Sequence, residues 1–179
     1  MRSALRSILA EYLQLSPGSL AFVYGEKGKP SLLADQNSLD LRFNVSHSGS
    51  IGILAVACGY EVGVDVETRQ EVPDYMAIAR RFFSPREHSA LARVPEELRQ
   101  RAFLCCWSRK ESYVKALGKG LACSLQSFSV SVSPQLLNDA LLEGACPGSY
   151  HVSDVALPDE CFAALTLEGA DRPRRCWTY

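Results

Sequence analysis

The spacing of apolar residues changes several times along the chain, and each change predicts an element. In MRSALRSILAEYLQL, Leu5, Leu9, Tyr12 and Leu13 recur at helical spacing, which predicts an opening helix with a core-facing stripe. SPGS breaks that pattern, LAFVY over residues 20–24 reads as a short strand, and GEKGKP is a turn leading into a looser polar segment. LRFNVS then alternates, with Leu41, Phe43 and Val45 directed inward and Arg42, Asn44 and Ser46 outward, before HSGS and the apolar run IGILAVAC. YEVGVDVETRQ, residues 60–70, alternates again, with Val62, Val64 and Val66 on one face and Gly63, Asp65 and Glu67 on the other. These segments predict consecutive antiparallel strands joined by tight turns.

Beyond Glu67 the period becomes helical. DYMAIARRFF and SPREHSALAR predict two helices, the second opened by a capping box of Ser84 and Glu87 with Pro85 in its first turn. The longest element opens at Pro95, runs through EELRQRAFLCCWSRKESYVKALG and stops at Gly118. SFSVSVS, YHVSDVAL and CFAALTLEG add three strand-like segments, so the order is that of an α+β fold.

Composition narrows the classes. A chain of 179 residues buries enough surface for a sizeable core, and a formal net charge of -1 gives no overall field to attract nucleic acid or a membrane surface. Any anionic ligand must therefore meet a local basic cluster. The seven Cys residues show no metal-ligand spacing and lie mostly among apolar neighbours, which fits reduced thiols in a cytoplasmic protein. No apolar run reaches membrane-spanning length. The Arg- and Ser-containing N-terminus has features of an organelle-targeting peptide, but Glu11 and the core stripe favour a folded helix.

Against that background a few polar residues stand out. Asp65 and Glu67 share a strand face roughly 7 Å apart, where two like charges repel. In the long helix Trp107, Glu111 and Lys115 fall at i, i+4 and i+8, beside Ser108. That spacing equally describes an ordinary helix-surface ion pair, worth about 0.3 kcal/mol. The Lys of GKGL, Lys119, is either a phosphate contact or a solvated helix end. Asn44, Ser46, His47 and Ser48 close a strand with hydrogen-bonding groups, and Lys29 sits in a turn; each reads as readily as surface chemistry as it does a site.

Taken in order, GKP, FNVSHS, GVDVE, RFFSPRE and WSRKESYVKALGKGL closely resemble the Sfp-type 4'-phosphopantetheinyl transferases, over almost the whole chain. The resemblance implies transfer of the phosphopantetheine arm of coenzyme A to a serine of an acyl or peptidyl carrier protein, with Mg²⁺, leaving adenosine 3',5'-bisphosphate. It implies a pseudo-dimer of two similar α+β halves, here residues 1–59 and 60–179, with the active site between them. Asp65, Glu67 and Glu111 match the family's metal acids, and Glu111 is also the candidate general base. Lys115 matches the lysine at the pyrophosphate, His47 the histidine at the 3'-phosphate, and Lys29 and Ser46 positions that hold the nucleotide end. Lys110 fits the family's KE pair without an assigned role.

The match begins well inside the family's usual first half, so that half is expected to be shortened and incomplete, with an unpaired sheet edge. A monomer is expected, docking an acidic carrier on Arg80, Arg81 or Arg86. Two rival functions use the same residues: a non-catalytic relative that binds coenzyme A or carrier without turnover, and a metal-dependent phosphohydrolase.

Overall fold

The opening stripe forms a helix, α1 (Arg2–Leu13), that buries Leu9 and Ala10 and lays Leu5 and Leu13 partly against the same core. Tyr12 departs from expectation: it is exposed, because the buried line runs through Leu5, Leu9 and Leu13 and Tyr12 lies one residue, about 100°, to its side. The computed structural model describes residues 2–68, 70–118, 120, 123–137, 139–140, 142–144, 149–157 and 161–177, so Lys119 and Cys146 lie outside the described residues. Two short strands, β1 (Phe22–Tyr24) and β2 (Pro30–Leu32), pair antiparallel around the GEKGKP turn. β2 and a 3₁₀ turn at Ala34–Gln36 fall in the segment that the sequence left as loose and polar.

β3 (Leu41–Ser48) and β4 (Ile51–Cys58) form an antiparallel hairpin with Ser48 opposite Ile51. Leu41 and Phe43 join Leu9, Ala10, Leu20 and Leu32 in one core cluster. The run of consecutive antiparallel strands ends there. β5 (Val62–Thr68) leaves the hairpin and pairs antiparallel with β9 (Cys161–Glu168), which pairs in turn with β8 (Tyr150–Val155). A pattern of alternation fixes which face a residue occupies; it carries no information about which strand lies alongside.

The other edge of β5 meets β3 without a backbone ladder. Instead Asn44 Oδ1 accepts from the Val64 amide at 2.9 Å, Ser46 Oγ from Val66 at 3.3 Å and Ser48 Oγ from Thr68 at 3.1 Å. The constant offset of twenty residues means that the two strands run in the same direction. Asn44 and Ser46, expected to face outward, are buried at this seam. Their side chains satisfy amides that the edge of β5 would otherwise bury unpaired.

α2 (Tyr75–Phe82), α3 (Pro85–Arg93) and α4 (Glu96–Leu117) follow β5. The predicted capping box at Ser84 and Glu87 is present, and Gly118 stops α4 in the left-handed region at φ 64°. Phe83, Phe103, Trp107 and Phe82 stack along the inner side of these helices, within a second core cluster that also takes in Tyr113 and Phe162. β6 is only Ser129–Val130, so most of SFSVSVS is not strand, and β7 (Leu142–Glu143), its partner, carried no sequence signal. Burial raises the Cys105 thiol to about 11 and also pushes Cys106 up, which leaves both protonated and inert as small core residues.

Three successive charges in the middle of α4 fan out at 100° intervals. Arg109, fully buried, grips Asp154 of β8 through two bonds of 2.9 and 2.6 Å and also donates to the carbonyls of Ser131, Ser133 and Gln135. Lys110, also fully buried, donates to both oxygens of Glu87 at 2.8 and 2.7 Å and to the Phe128 carbonyl at 2.8 Å. Glu87 is thus shared between the cap of α3, the Val130 amide and Lys110. The third charge, Glu111, faces away from both.

α4 crosses directly over Gly63. A Cβ there would lie 2.1 Å from the Ser112 carbonyl oxygen and 2.3 Å from the Ala116 nitrogen, both backbone atoms that cannot swing aside. Gly63→Ala is therefore expected to lower unfolding stability by about 3 kcal/mol, typical of severe overpacking. Urea denaturation of the variant checks this, and a loss under about 0.5 kcal/mol, the ordinary scatter of surface changes, would contradict the close approach.

Candidate active site

β5 presents its polar face beneath α4. Val62, Val64 and Val66 are buried on one side, while Gly63, Asp65 and Glu67 face the helix side. Because α4 lies on Gly63 through Ser112 and Ala116, the residue before each of them, Glu111 and Lys115, is carried toward Asp65. Lys115 Nζ reaches Asp65 Oδ1 at 2.5 Å and Ser46 Oγ at 3.0 Å. Ser46 Oγ donates to the same carboxylate oxygen at 3.0 Å while accepting from the Val66 amide. One hydroxyl from β3 therefore fixes the orientation of an acid on β5 and a base on α4.

The second oxygen, Asp65 Oδ2, is buried with no hydrogen-bond partner. Burial, then the Asp65 carboxylate, pushes the carboxyl of Glu67 above its usual 4.5; Lys115 pulls the other way, Glu111 adds to the rise and a hydrogen bond from Ser48 moderates it. Glu111 is raised by burial first and by Asp65 second, against Lys115. The three acids predicted to act together are thus electrostatic neighbours, and their repulsion is only partly answered by one ammonium.

A divalent cation fits this donor set. Among the described residues no three His, Cys, Asp or Glu side chains enclose a metal position outright. Mg²⁺ does not need such a cage, since it usually takes one or two carboxylates and fills the remaining positions with waters and substrate phosphates. The unpartnered Asp65 oxygen and the two raised carboxyls beside it are the kind of donors an open site of that type uses.

Glu111 and Lys115 also line a cleft of about 270 Å³ whose other wall is the GEKGKP turn, with Lys27, Gly28 and Lys29. Gly118 lets that turn come close: a Cβ on it would lie 3.2 Å from Cδ of Lys29. Lys29 Nζ donates to Glu61 Oε2 at 2.7 Å, to the Val62 carbonyl at 3.2 Å and to the Ala116 carbonyl at 2.9 Å. It neutralises Glu61 and caps the end of α4, so the turn, β5 and the helix are pinned together at the mouth of the cleft. His47 is exposed near the end of β3, on the face opposite Ser46, and does not line this cleft. Of the polar cleft residues, Asn44 was singled out in the sequence only as a hydrogen-bonding group closing its strand, and Lys27 was not singled out at all. GEKGKP contains both lysines, but only the fold shows that they share a wall.

Asp65, Glu67, Glu111 and Lys115 lie within the segment that a family model matches. The family model of the 4'-phosphopantetheinyl transferase superfamily matches residues 61–164, from the start of β5 into β9. The chain is 34% identical to the 4'-phosphopantetheinyl transferase HetI of Nostoc sp. over 99% of its own length and 73% of that protein. The chain belongs to the 4'-phosphopantetheinyl transferase superfamily. Within this superfamily it is also 36% identical to the transferase Sfp of Bacillus subtilis, covering 70% of this chain and 54% of that one. It thus spans about half to three quarters of the length of these relatives. Among solved structures it is similar to a holo-(acyl-carrier-protein) synthase of Bacillus anthracis, with TM-score 0.49 and 18% identity, over 60% of this chain and 94% of that one.

The raised carboxyls give a prediction about stability. A folded-state value above 4.5 means that the folded protein holds the proton more tightly than the unfolded chain, so the repulsion is fully present above the folded value and is relieved as pH falls through it. Without metal, Glu67→Gln is expected to raise the melting temperature at neutral pH, with the gain disappearing toward about pH 4.5, the usual carboxylate value. Added Mg²⁺ should raise the melting temperature of the parent protein more than that of the variant. A variant less stable than the parent at neutral pH would contradict the clustering of the acids.

Proposed function

We propose that this chain transfers the 4'-phosphopantetheine arm of coenzyme A to a serine of an apo acyl or peptidyl carrier protein, in a Mg²⁺-dependent reaction that releases adenosine 3',5'-bisphosphate. The observation that carries the reading is the unpartnered Asp65 oxygen beside Glu67, Glu111 and Lys115 at the lysine-lined cleft. Membership of the superfamily, and the names of the relatives, support the same chemistry.

In this reading Asp65, Glu67 and Glu111 hold Mg²⁺, which when bound neutralises the pyrophosphate and the charge that grows on the leaving bisphosphate. Glu111 accepts the proton of the carrier serine, directly or through a water. The serine oxygen bonds to the β-phosphorus as that phosphorus separates from its bridging oxygen, and the bisphosphate departs with the electron pair. Lys115 meets the pyrophosphate from the helix. Ser46 steadies Asp65 and Lys115 at the nucleotide end, Lys29 keeps the cleft wall in place, and His47 meets the 3'-phosphate. The binding of charge by fixed groups, rather than covalent chemistry by the protein, supplies most of the rate.

The two α+β portions, residues 1–59 and 60–179, are read as the halves of a pseudo-dimer acting as a monomer. Two core clusters support this, one built from α1 to β3 and the other from α2 onward. Arg80 and Arg81 are exposed at the end of α2 and offer charge to an acidic carrier, whereas Arg86 is already paired with Glu143. No helix among the described residues is long and apolar enough to cross a membrane. Reduced buried thiols are compatible with a cytoplasmic setting.

The test is incubation with coenzyme A, Mg²⁺ and an apo carrier, with the added arm read by mass spectrometry. Modification is expected with the parent protein and is expected to be lost, by 100-fold or more on the scale of removing a catalytic charge, in Asp65→Ala. Binding of coenzyme A with carrier left unmodified would replace this reading with a binding-only protein, and hydrolysed coenzyme A with unmodified carrier would replace it with a phosphohydrolase. A separate expectation concerns His47→Ala, which should weaken coenzyme A more than dephospho-coenzyme A. Equal losses for the two ligands, measured by calorimetry, would remove His47 from the 3'-phosphate.

A further inference from the structure

β4 differs from the other long strands in what guards its outer edge. Among the described residues β3 is its only ladder partner, so on the other side alternate amides and carbonyls of Ile51–Cys58 have no strand beside them. From Ile51 to Ala57 its side chains are half-buried on both faces, with only Gly52 exposed among them. Leu54 and Val56 lean on the first core cluster. An open edge of this length is normally blunted by a charge, a proline or a bulge. IGILAVAC has neither a charged residue nor a proline, and its register with β3 runs unbroken from Cys58 opposite Leu41 to Ile51 opposite Ser48. The edge is therefore open to another strand, and an uncharged apolar strand suits it.

The order of residues in β4 points to the strand itself as that partner. Residues directly opposite each other in an antiparallel pair share a face, so β4 can pair with a second β4 only about a two-fold axis that passes through a residue. An axis at Leu54 keeps all of 51–57 in the ladder. It sets Ile51 opposite Ala57, Ile53 opposite Ala55, Gly52 opposite Val56, and Leu54 opposite its own copy. Away from the axis each large side chain meets a small one, the complementarity on which cross-strand packing depends. Moving the axis to Ile53 or Ala55 shortens the ladder. We propose that β4 is a homodimer interface, in which a second copy of this chain pairs antiparallel about Leu54 and joins the two β3–β4 hairpins into one continuous sheet. No residue of β4 lines the active-site cleft, so each copy keeps a complete cleft and the catalytic unit remains the single chain.

Sedimentation equilibrium of the complete chain at micromolar concentrations tests this, with the parent expected at twice the mass of the single chain. Ile51→Lys and Ala57→Glu are each expected to weaken the dimer about tenfold or more, as for an unmatched charge at an interface. Mixing the two variants should restore it, because the register sets position 51 of one copy opposite position 57 of the other. Hydrogen exchange on the parent needs no substitution: amides in 51–58 should be protected in the dimer and exchange faster on dilution. A parent that sediments as a single chain would overturn the proposal, as would a dimer whose β4 amides gain no protection or a mixture of variants that stays monomeric. A single chain protected along β4 only when a carrier protein is added would give the edge to that partner and equally overturn the second copy. Each of these outcomes leaves the transferase reading to its own assay.

Discussion

The helix and the strand that carry the candidate chemistry touch backbone to backbone at Gly63, where even a methyl group would meet the Ser112 carbonyl at 2.1 Å. Everything else about the site follows from that spacing. With α4 this close, the residues beside the contact place Lys115 within 2.5 Å of Asp65, and Glu111 near enough to feel the same carboxylate. A larger separation would leave two acids on a solvated strand and an ordinary surface pair on a helix. The close approach turns these into one electrostatic unit, in which, on top of burial, Asp65 raises the carboxyls of Glu67 and Glu111 and Lys115 pulls them down.

Close approach alone leaves a helix free to roll, and the two residues before Glu111 remove that freedom. Arg109 is tied to β8 and Lys110 to α3, each buried and each with its donors satisfied. Buried pairs of this sort add little net stability, since desolvation offsets most of the attraction. Their value lies in geometry: Arg109, Lys110 and Glu111 point in three directions fixed by the helix, so locking two of them sets the third.

Much of the site was legible because the chemistry sits on regular elements. Alternation put Asp65 and Glu67 on one face and the valines on the other, and the four-residue spacing aligned Glu111 with Lys115; both survive in the structure. The partner of β5 was not legible, because a strand's alternation is the same whichever neighbour it has, and β9 lies nearly a hundred residues away. Nor was the burial of Asn44 and Ser46, since polar residues alternating on a strand normally mark its wet side. Here they mark a contact between two strands. Lys110 was visible as a charge in a helix but not as a buried one, because its partner Glu87 had already been explained by the cap of α3.

The seam between β3 and β5 has a consequence for how such a protein can change over time. A backbone ladder is indifferent to the residues it joins, so mutation seldom loosens it one rung at a time. The seam made by Asn44, Ser46 and Ser48 is written in side chains, one amide per residue. Each rung is therefore a separate genetic locus. The stiffness of the joint beside Asp65 can be adjusted by single substitutions while both strands persist, which gives selection a graded control over the site that a continuous sheet would withhold.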